Sequence, residues 1–262
     1  MPAPPPRRAR PPKREEPAFT QQPEVDVWID EGPAAQRSSR SARPRRAAPE
    51  AKAERIRVRA PKLVDLVGPK RAERLEGRLG DAATAFAGER FGEARQILSP
   101  IVREVPDLAE GRELYGLALY RLGRWKEAAR ELAAFVELSG GSTEQHPVLA
   151  DCQRALGKYG EVERLWEELR EASPSGALVA EGRIVTAGAR ADQGDLAGAI
   201  RLLAKGFRMP RNPQEHHLRR AYSLGDLYER AGDVPQARSM FLRVAQVDPE
   251  YLDAAERAAS LD

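Results

Sequence analysis

The stretch AYSLGDLYERAGDVPQARSMFLRVAQVDP, residues 221–249, decides the architecture. It sets a small residue, Gly225, within one apolar helical face and a breaker at Gly232. A second small residue, Ala237, opens another apolar face, and Pro249 follows at the end. Glycine stops a helix because it takes left-handed backbone angles without steric cost. A chain that reverses at Gly232 therefore makes two antiparallel helices, an A helix and a B helix. The small residues let the two backbones approach, and larger apolar residues at i, i+3, i+4 spacing fill the flanks.

The same arrangement recurs upstream. Glu89, Gly123, Gly157 and Gly194 stand where Gly232 does, at spacings of 34, 34, 37 and 38 residues. Each opens a similar run, ERFGEA, GRWKEA, GKYGEV, GDLAGA and GDVPQA, with Phe91, Trp125, Tyr159, Leu196 or Val234 two residues on. Ala82, Gly116, Ala150, Ala187 and Gly225 form one series of equivalent positions, and Ala94, Ala128, Val162, Ala199 and Ala237 the other. Nine of these ten are Gly or Ala. A fixed period of this length is the signature of a solenoid. In the second unit, Leu114, Gly116, Ala118 and Leu122 read as helix A, and Ala128, Leu132, Phe135 and Leu138 as helix B. Pro106, Pro174 and Pro249 fall between units, where proline is tolerated.

These residues identify the resemblance: the pattern resembles the tetratricopeptide repeat, with small residues at its eighth and twentieth positions, Gly at the fifteenth and Pro at the thirty-second. Leu224-Gly225, Tyr228, Gly232, Ala237, Phe241 and Pro249 all fall where that motif expects them. The units at 82, 150 and 187 depart from it. Glu89 replaces the turn Gly, Val162 replaces Ala, and residues 174–194 and 208–232 carry extra length. The resemblance implies an all-α, right-handed superhelical solenoid of about five hairpins over residues 75–249. Residues 61–74 are expected to be a short helical lead-in broken at Gly68-Pro69. Residues 250–262 are expected to be a capping helix with Leu252, Ala255 and Ala259 inward and a polar outer face.

The resemblance also implies a concave wall that binds protein or peptide, lined by the second, fifth, ninth, twelfth and thirteenth residues of each A helix. Glu113, Leu117, Tyr120, Asp151, Arg154, Ile184, Tyr222, Asp226 and Glu229 are the partner-binding candidates among them. The lining positions together hold nine acids and four bases. They lack the Lys/Asn/Arg clamp with which some members of the family hold a terminal carboxylate. A basic or mixed-charge peptide is the expected ligand, with Phe86, Tyr120 and Tyr222 as stacking surfaces. Glu76, Glu110, Glu144 and Glu181 stand near helix starts, where a carboxylate serves the helix dipole whether or not anything binds. Asp151, Asp192, Asp226 and Glu229 lie deeper and read as the better binding positions.

Composition separates residues 1–60, which are rich in Pro and Arg and poor in apolar side chains. Such a segment buries too little surface to offset its ordering entropy and is expected to be disordered. Residues 1–62 hold 15 Lys+Arg against 8 Asp+Glu, net +7. The other 200 hold 43 − 15 = 28 against 40 − 8 = 32, net −4. Within the tail, EVDVWIDE (24–31) packs four apolar residues between four carboxylates, so Trp28 is a candidate docking anchor. Opposite charges also allow the tail to fold back into its own groove, since about 60 flexible residues span roughly 40–45 Å. Dispersed arginines could equally neutralise phosphates. Arg outnumbers Lys 36 to 7 across the chain, however, which GC-rich coding would also produce.

Nothing in the sequence points to catalysis. Cys152 is the only cysteine, on an A helix where a small buried residue is needed. His146 is read in a loop, His216 and His217 are adjacent, and no metal or phosphate-binding motif appears. No cofactor is expected. Without a secretory signal or an apolar run long enough to span a bilayer, a cytoplasmic location is expected. Two classes of function remain: a non-catalytic adaptor binding through the solenoid with the tail as tether or second contact, or a nucleic-acid- or ribosome-associated factor using the Arg-rich tail.

Overall fold

The computed structural model describes residues 56–261, and the candidate docking segment around Trp28 lies outside them. The described residues form helices α1 (Leu63–Val67), α2 (Pro69–Ala87), α3 (Phe91–Glu104), α4 (Ala109–Arg121), α5 (Trp125–Leu138) and α6 (His146–Ala155). There follow α7 (Tyr159–Ala172), α8 (Gly176–Asp192), α9 (Leu196–Ala204), α10 (Glu215–Arg230), α11 (Val234–Val247) and α12 (Ala254–Ser260). No strand occurs among the described residues, and none of the helices is long and apolar enough to cross a membrane.

The five turns between A and B helices share one backbone device. Glu89, Gly123, Gly157, Gly194 and Gly232 all have positive φ, from 58° at Glu89 to 85° at Gly194. In each, the next residue's N–H reaches back five residues to a helix carbonyl: Arg90 to Ala85, Arg124 to Leu119, Lys158 to Gln153, Asp195 to Arg190, Asp233 to Tyr228, at 2.8–2.9 Å. This satisfies carbonyls that the helix end would leave unpaired. Glu89 adopts the left-handed conformation despite its side chain, so the first turn is built like the others.

The small residues are small because space demands it. A Cβ on Gly116 would lie 2.7 Å from Leu132 of α5, and one on Gly225 would lie 2.8 Å from the Phe241 ring of α11. Ala82, Ala94, Ala128, Ala187, Ala199 and Ala237 are fully buried between the same helix pairs. Each B helix then packs on the next A helix. Successive A helices, α2, α4, α6, α8 and α10, also touch one another directly. With the A helices closed together and the B helices on the other side, the stack curves around the A helices, which form its inner wall.

Both ends differ from expectation. Residues 56–60, expected to be disordered, run extended along α2 in the opposite direction. The Ile56 N–H donates to Thr84 Oγ1 at 3.0 Å, and the Ala60 N–H donates to Glu76 Oε1 at 3.3 Å. Val58 and Ala60 are buried. The reason is alternation: Ile56, Val58 and Ala60 present one apolar edge to α2, which no other hairpin covers on that side among the described residues. Gly80 makes the approach possible, since a Cβ there would sit 2.5 Å from the Ile56 carbonyl oxygen. Residues 69–74, expected in the lead-in, are the opening turns of α2, with Pro69 at its first position.

At the other end, α12 covers only Ala254–Ser260 and buries Ala254 and Ala258. Leu252 is 42% exposed with a φ of 49°, and Ala255 and Ala259 face outward. The helix begins later than the sequence pattern suggests, after the turn at Tyr251–Asp253, and that rotates its inward face. Leu122, assigned to the core of the second unit, is exposed at the end of α4.

Candidate functional site: the inner wall

The inner wall is crossed by a ladder of polar contacts, each rung joining one A helix to the next. Between α4 and α6, the Tyr120 hydroxyl donates to Asp151 Oδ2 at 2.6 Å. Between α6 and α8, Arg154 Nε donates to Asp192 Oδ2 at 2.6 Å while its Nη1 lies 3.6 Å from Asp151. Between α8 and α10, Arg219 meets Glu181 at 2.9 Å. From α10 to α12, Arg257 reaches Asp226 at 3.0 Å and Glu229 at 2.7 Å and donates to the Tyr222 hydroxyl at 3.1 Å. That hydroxyl in turn donates to Asp253 at 2.6 Å.

Arg257 is the most elaborate rung. Its guanidinium lies 4.2 Å from the Phe241 ring centroid and 5.4 Å from that of Tyr222. Burial would depress its pKa, but hydrogen bonds with Glu229, Tyr222 and Asp226 outweigh burial and raise it. Burial and the Asp253 hydrogen bond push Tyr222 up to about 12.

The wall is unlike this at its other end. Glu110 and Glu113 on α4 and Glu144 just before α6 carry no cation within ion-pair distance among the described residues. Glu113 is only 5% exposed and accepts one hydrogen bond, from Gln145 Nε2 at 2.9 Å. Burial first, then the charges of Glu144 and Glu110, push it up to about 7. Burial also raises Glu110 and Glu144. These three carboxyls form a half-buried acidic floor at the start of α4 and α6.

Among the sequence candidates, Tyr120, Asp151 and Arg154 are thus brought together, and Tyr222, Asp226 and Glu229 form a second group around Arg257. Glu113 stands apart in the acidic floor. Leu117 and Ile184 are half-buried and packed against the core. Asp151, Asp192, Asp226 and Glu229, read as the better binding positions, are each in contact with tyrosine or arginine. Of the four read as dipole partners, Glu181 pairs with Arg219, whereas Glu76, Glu110 and Glu144 have no cation within ion-pair distance among the described residues. The rings are similarly engaged, Phe86 edge-on to Phe91 at 5.2 Å and Tyr120 edge-on to Trp125 at 5.1 Å.

Gln145, Asp253 and Arg257 were absent from the sequence candidates. Their signal was faint: residues of matching polarity at facing register positions on successive A helices. His146 is not in a loop but opens α6, buried, with Nε2 3.0 Å from Glu168 on α7. Cys152 is a buried free thiol whose pKa burial raises. An open recess of about 560 Å³ lies elsewhere, beside α11 at Val234, Arg238, Leu242 and Leu261, and is not part of the wall.

No protein-family model matches the chain, and no curated protein matches it. Solved structures do. A thermophilic TPR protein of Thermus thermophilus is 18% identical with a TM-score of 0.55, the match covering 71% of this chain and 98% of that one. A putative kinesin light chain of Podospora anserina with nearly identical TPR-like repeats is 17% identical with a TM-score of 0.53, over 68% and 97%. The APC/C Cut9–Hcn1 hetero-tetramer matches at 13% identity and a TM-score of 0.58, over 77% of this chain and 38% of that one. At these identities the likeness establishes the fold.

Proposed function

We propose that this tetratricopeptide-repeat solenoid is a non-catalytic adaptor. It takes an extended, basic or mixed-charge segment of a partner protein along its inner wall, at the acidic floor of α4 and α6. One observation carries the reading: the pKa of Glu113 is pushed up by burial and by the charges of Glu144 and Glu110, and none of the three has a cation within ion-pair distance among the described residues. Asp192, Glu181, Asp226 and Glu229, in contrast, are each paired with an arginine. Like charges at short range raise one another's pKa and cost free energy, which an incoming Lys or Arg relieves. Tyr120 and Leu117, beside them on α4, supply apolar contact. Residues 1–55 act as tether or second contact. The lone cysteine, kept as a buried thiol, suits a cytoplasmic setting.

The test is a panel of fluorescent 15-residue peptides of graded charge, titrated into the full chain. Lys/Arg-containing peptides are expected to bind, with Glu110→Gln/Glu144→Gln weakening them about tenfold and Asp226→Asn leaving them unchanged. A preference for acidic peptides, or equal loss in both variants, defeats the proposal.

A further inference from the structure

The folded part carries net negative charge, yet one rim of it is strongly basic. The rim lies where B helices end and the next A helices begin, around the segment 205–214 that joins α9 to α10. Residues 201–220 hold six Lys and Arg against one acid, Glu215. Of these, Arg219 is taken by Glu181, and Glu215 accepts the Tyr251 hydroxyl at 2.7 Å. Lys205, Arg208 and Arg211 are exposed and face no carboxylate among the described residues.

Two more cations lie behind them. Arg183 on α8 donates Nη1–H to the carbonyls of Leu202 and Lys205, at 3.3 and 3.2 Å. Arg220 on α10 donates to those of Leu203 and Lys205, at 2.8 and 2.7 Å. These bonds fasten the end of α9 and the start of the basic segment, and they leave both guanidinium charges without a carboxylate. Their planes lie over aromatic rings, Arg183 5.4 Å from Trp166 and Arg220 5.1 Å from Phe207. Burial, then the charge of Arg183, pushes Arg220 down to about 10. The fold thus sets three exposed cations on one ten-residue segment and fastens its start with two half-buried guanidiniums that repel each other. None of the five has an ion-pair partner among the described residues. An anion placed there relieves the repulsion.

We propose that this rim binds the phosphate backbone of a nucleic acid strand. Four of the five cations are arginine, whose planar fork meets phosphate oxygens bidentately. A polymer of phosphates is also long enough to engage the Arg-rich residues 1–55 at the same time, which a compact anion is not. The site is separate from the inner wall, and its failure leaves the adaptor reading standing.

The experiment is fluorescence anisotropy with a labelled 20-nucleotide oligouridylate and the full chain at 50–300 mM salt. Lys205→Glu/Arg208→Glu/Arg211→Glu is expected to weaken binding at least tenfold at 100 mM salt. It should also reduce the slope of log K against log salt by about 2, three contacts at roughly 0.7 each. The neutral variant Lys205→Gln/Arg208→Gln/Arg211→Gln, which removes charge without adding any, should show the same slope change with a smaller loss. Unchanged affinity and slope in both variants overturns the proposal, as does equally tight binding of a polyglutamate of the same length.

Discussion

From α2 to α7 the buried side chains form one continuous cluster, from Val58 through Leu165 and on to Ala189 of α8. From α8 onward they divide into two small groups, one around Leu203 and Leu224 and the other around Phe241 and Ala254. The arginine–carboxylate pairs of the inner wall gather toward the other end. The last two hairpins and α12 are tied by Arg219 to Glu181 and by Arg257 to Tyr222, Asp226 and Glu229. In the first three hairpins the wall contacts between repeats are hydrogen bonds from uncharged donors, Tyr120 to Asp151 and Gln145 to Glu113, and the buried pair of Arg112 with Glu131 lies inside a single hairpin. Where apolar burial is continuous, inner-wall carboxylates meet the next repeat through uncharged donors, and Glu110, Glu113 and Glu144 have no ion-pair partner among the described residues. Where it is interrupted, the inner-wall carboxylates are consumed as structure. This difference leaves the acidic floor at one end only.

The largest test breaks the core at each end in turn. Phe241→Ala should cost about 3–5 kcal/mol and Leu119→Ala about 2–5 kcal/mol. Repeat proteins lose stability unit by unit, so native-state hydrogen exchange should show loss of protection confined to α10–α12 for Phe241→Ala. The Leu119 variant should lose it across α2–α7. Equal spread in both variants removes the distinction.

The next test uses pH. Glu113 is raised from its ordinary 4.5 to about 7, so the folded state favours its neutral form. Its ionisation costs the fold as pH rises between those two values, and stability falls over that window. Glu113→Gln removes the cost. The variant should exceed the unsubstituted chain in stability by on the order of 2–3 kcal/mol at pH 8, and match it near pH 4. Denaturant melts at both pH values measure this; a difference independent of pH refutes the acidic-floor account.

The smallest effect is expected at the stitched end. Arg257, about 20% exposed in its side chain, holds α12 to α10. Arg257→Ala should cost about 1–2 kcal/mol at low ionic strength and free the amides of α12. The loss should shrink in 1 M salt, where screening acts on the partly exposed rungs. A loss insensitive to salt would assign the effect to packing against Phe241 instead.

Much of this was legible in the residues. The five turn positions could be named from spacing alone because positive φ is a local backbone requirement, and even Glu89 could be placed by register. Gly116 and Gly225 could be named because close helix approach leaves no room for a Cβ. The wall's chemistry was less legible. Tyr120 and Asp151 stand 31 positions apart, and Arg154 and Asp192 stand 38 apart. Whether such side chains meet depends on how one hairpin is rotated on the next. Local pattern could show that Asp226 lay on the inner face; it could not show that Arg257 would neutralise it.

The sequence by itself determined the hairpins, their turns and their close contacts, because each of these is fixed within about 34 residues of chain, and the resemblance implied which helices line the inside. Only the tertiary structure decided which carboxylates are spent and which remain. Charge pairing across the wall depends on side-chain distances between successive repeats, and those are set by packing rather than by any local pattern.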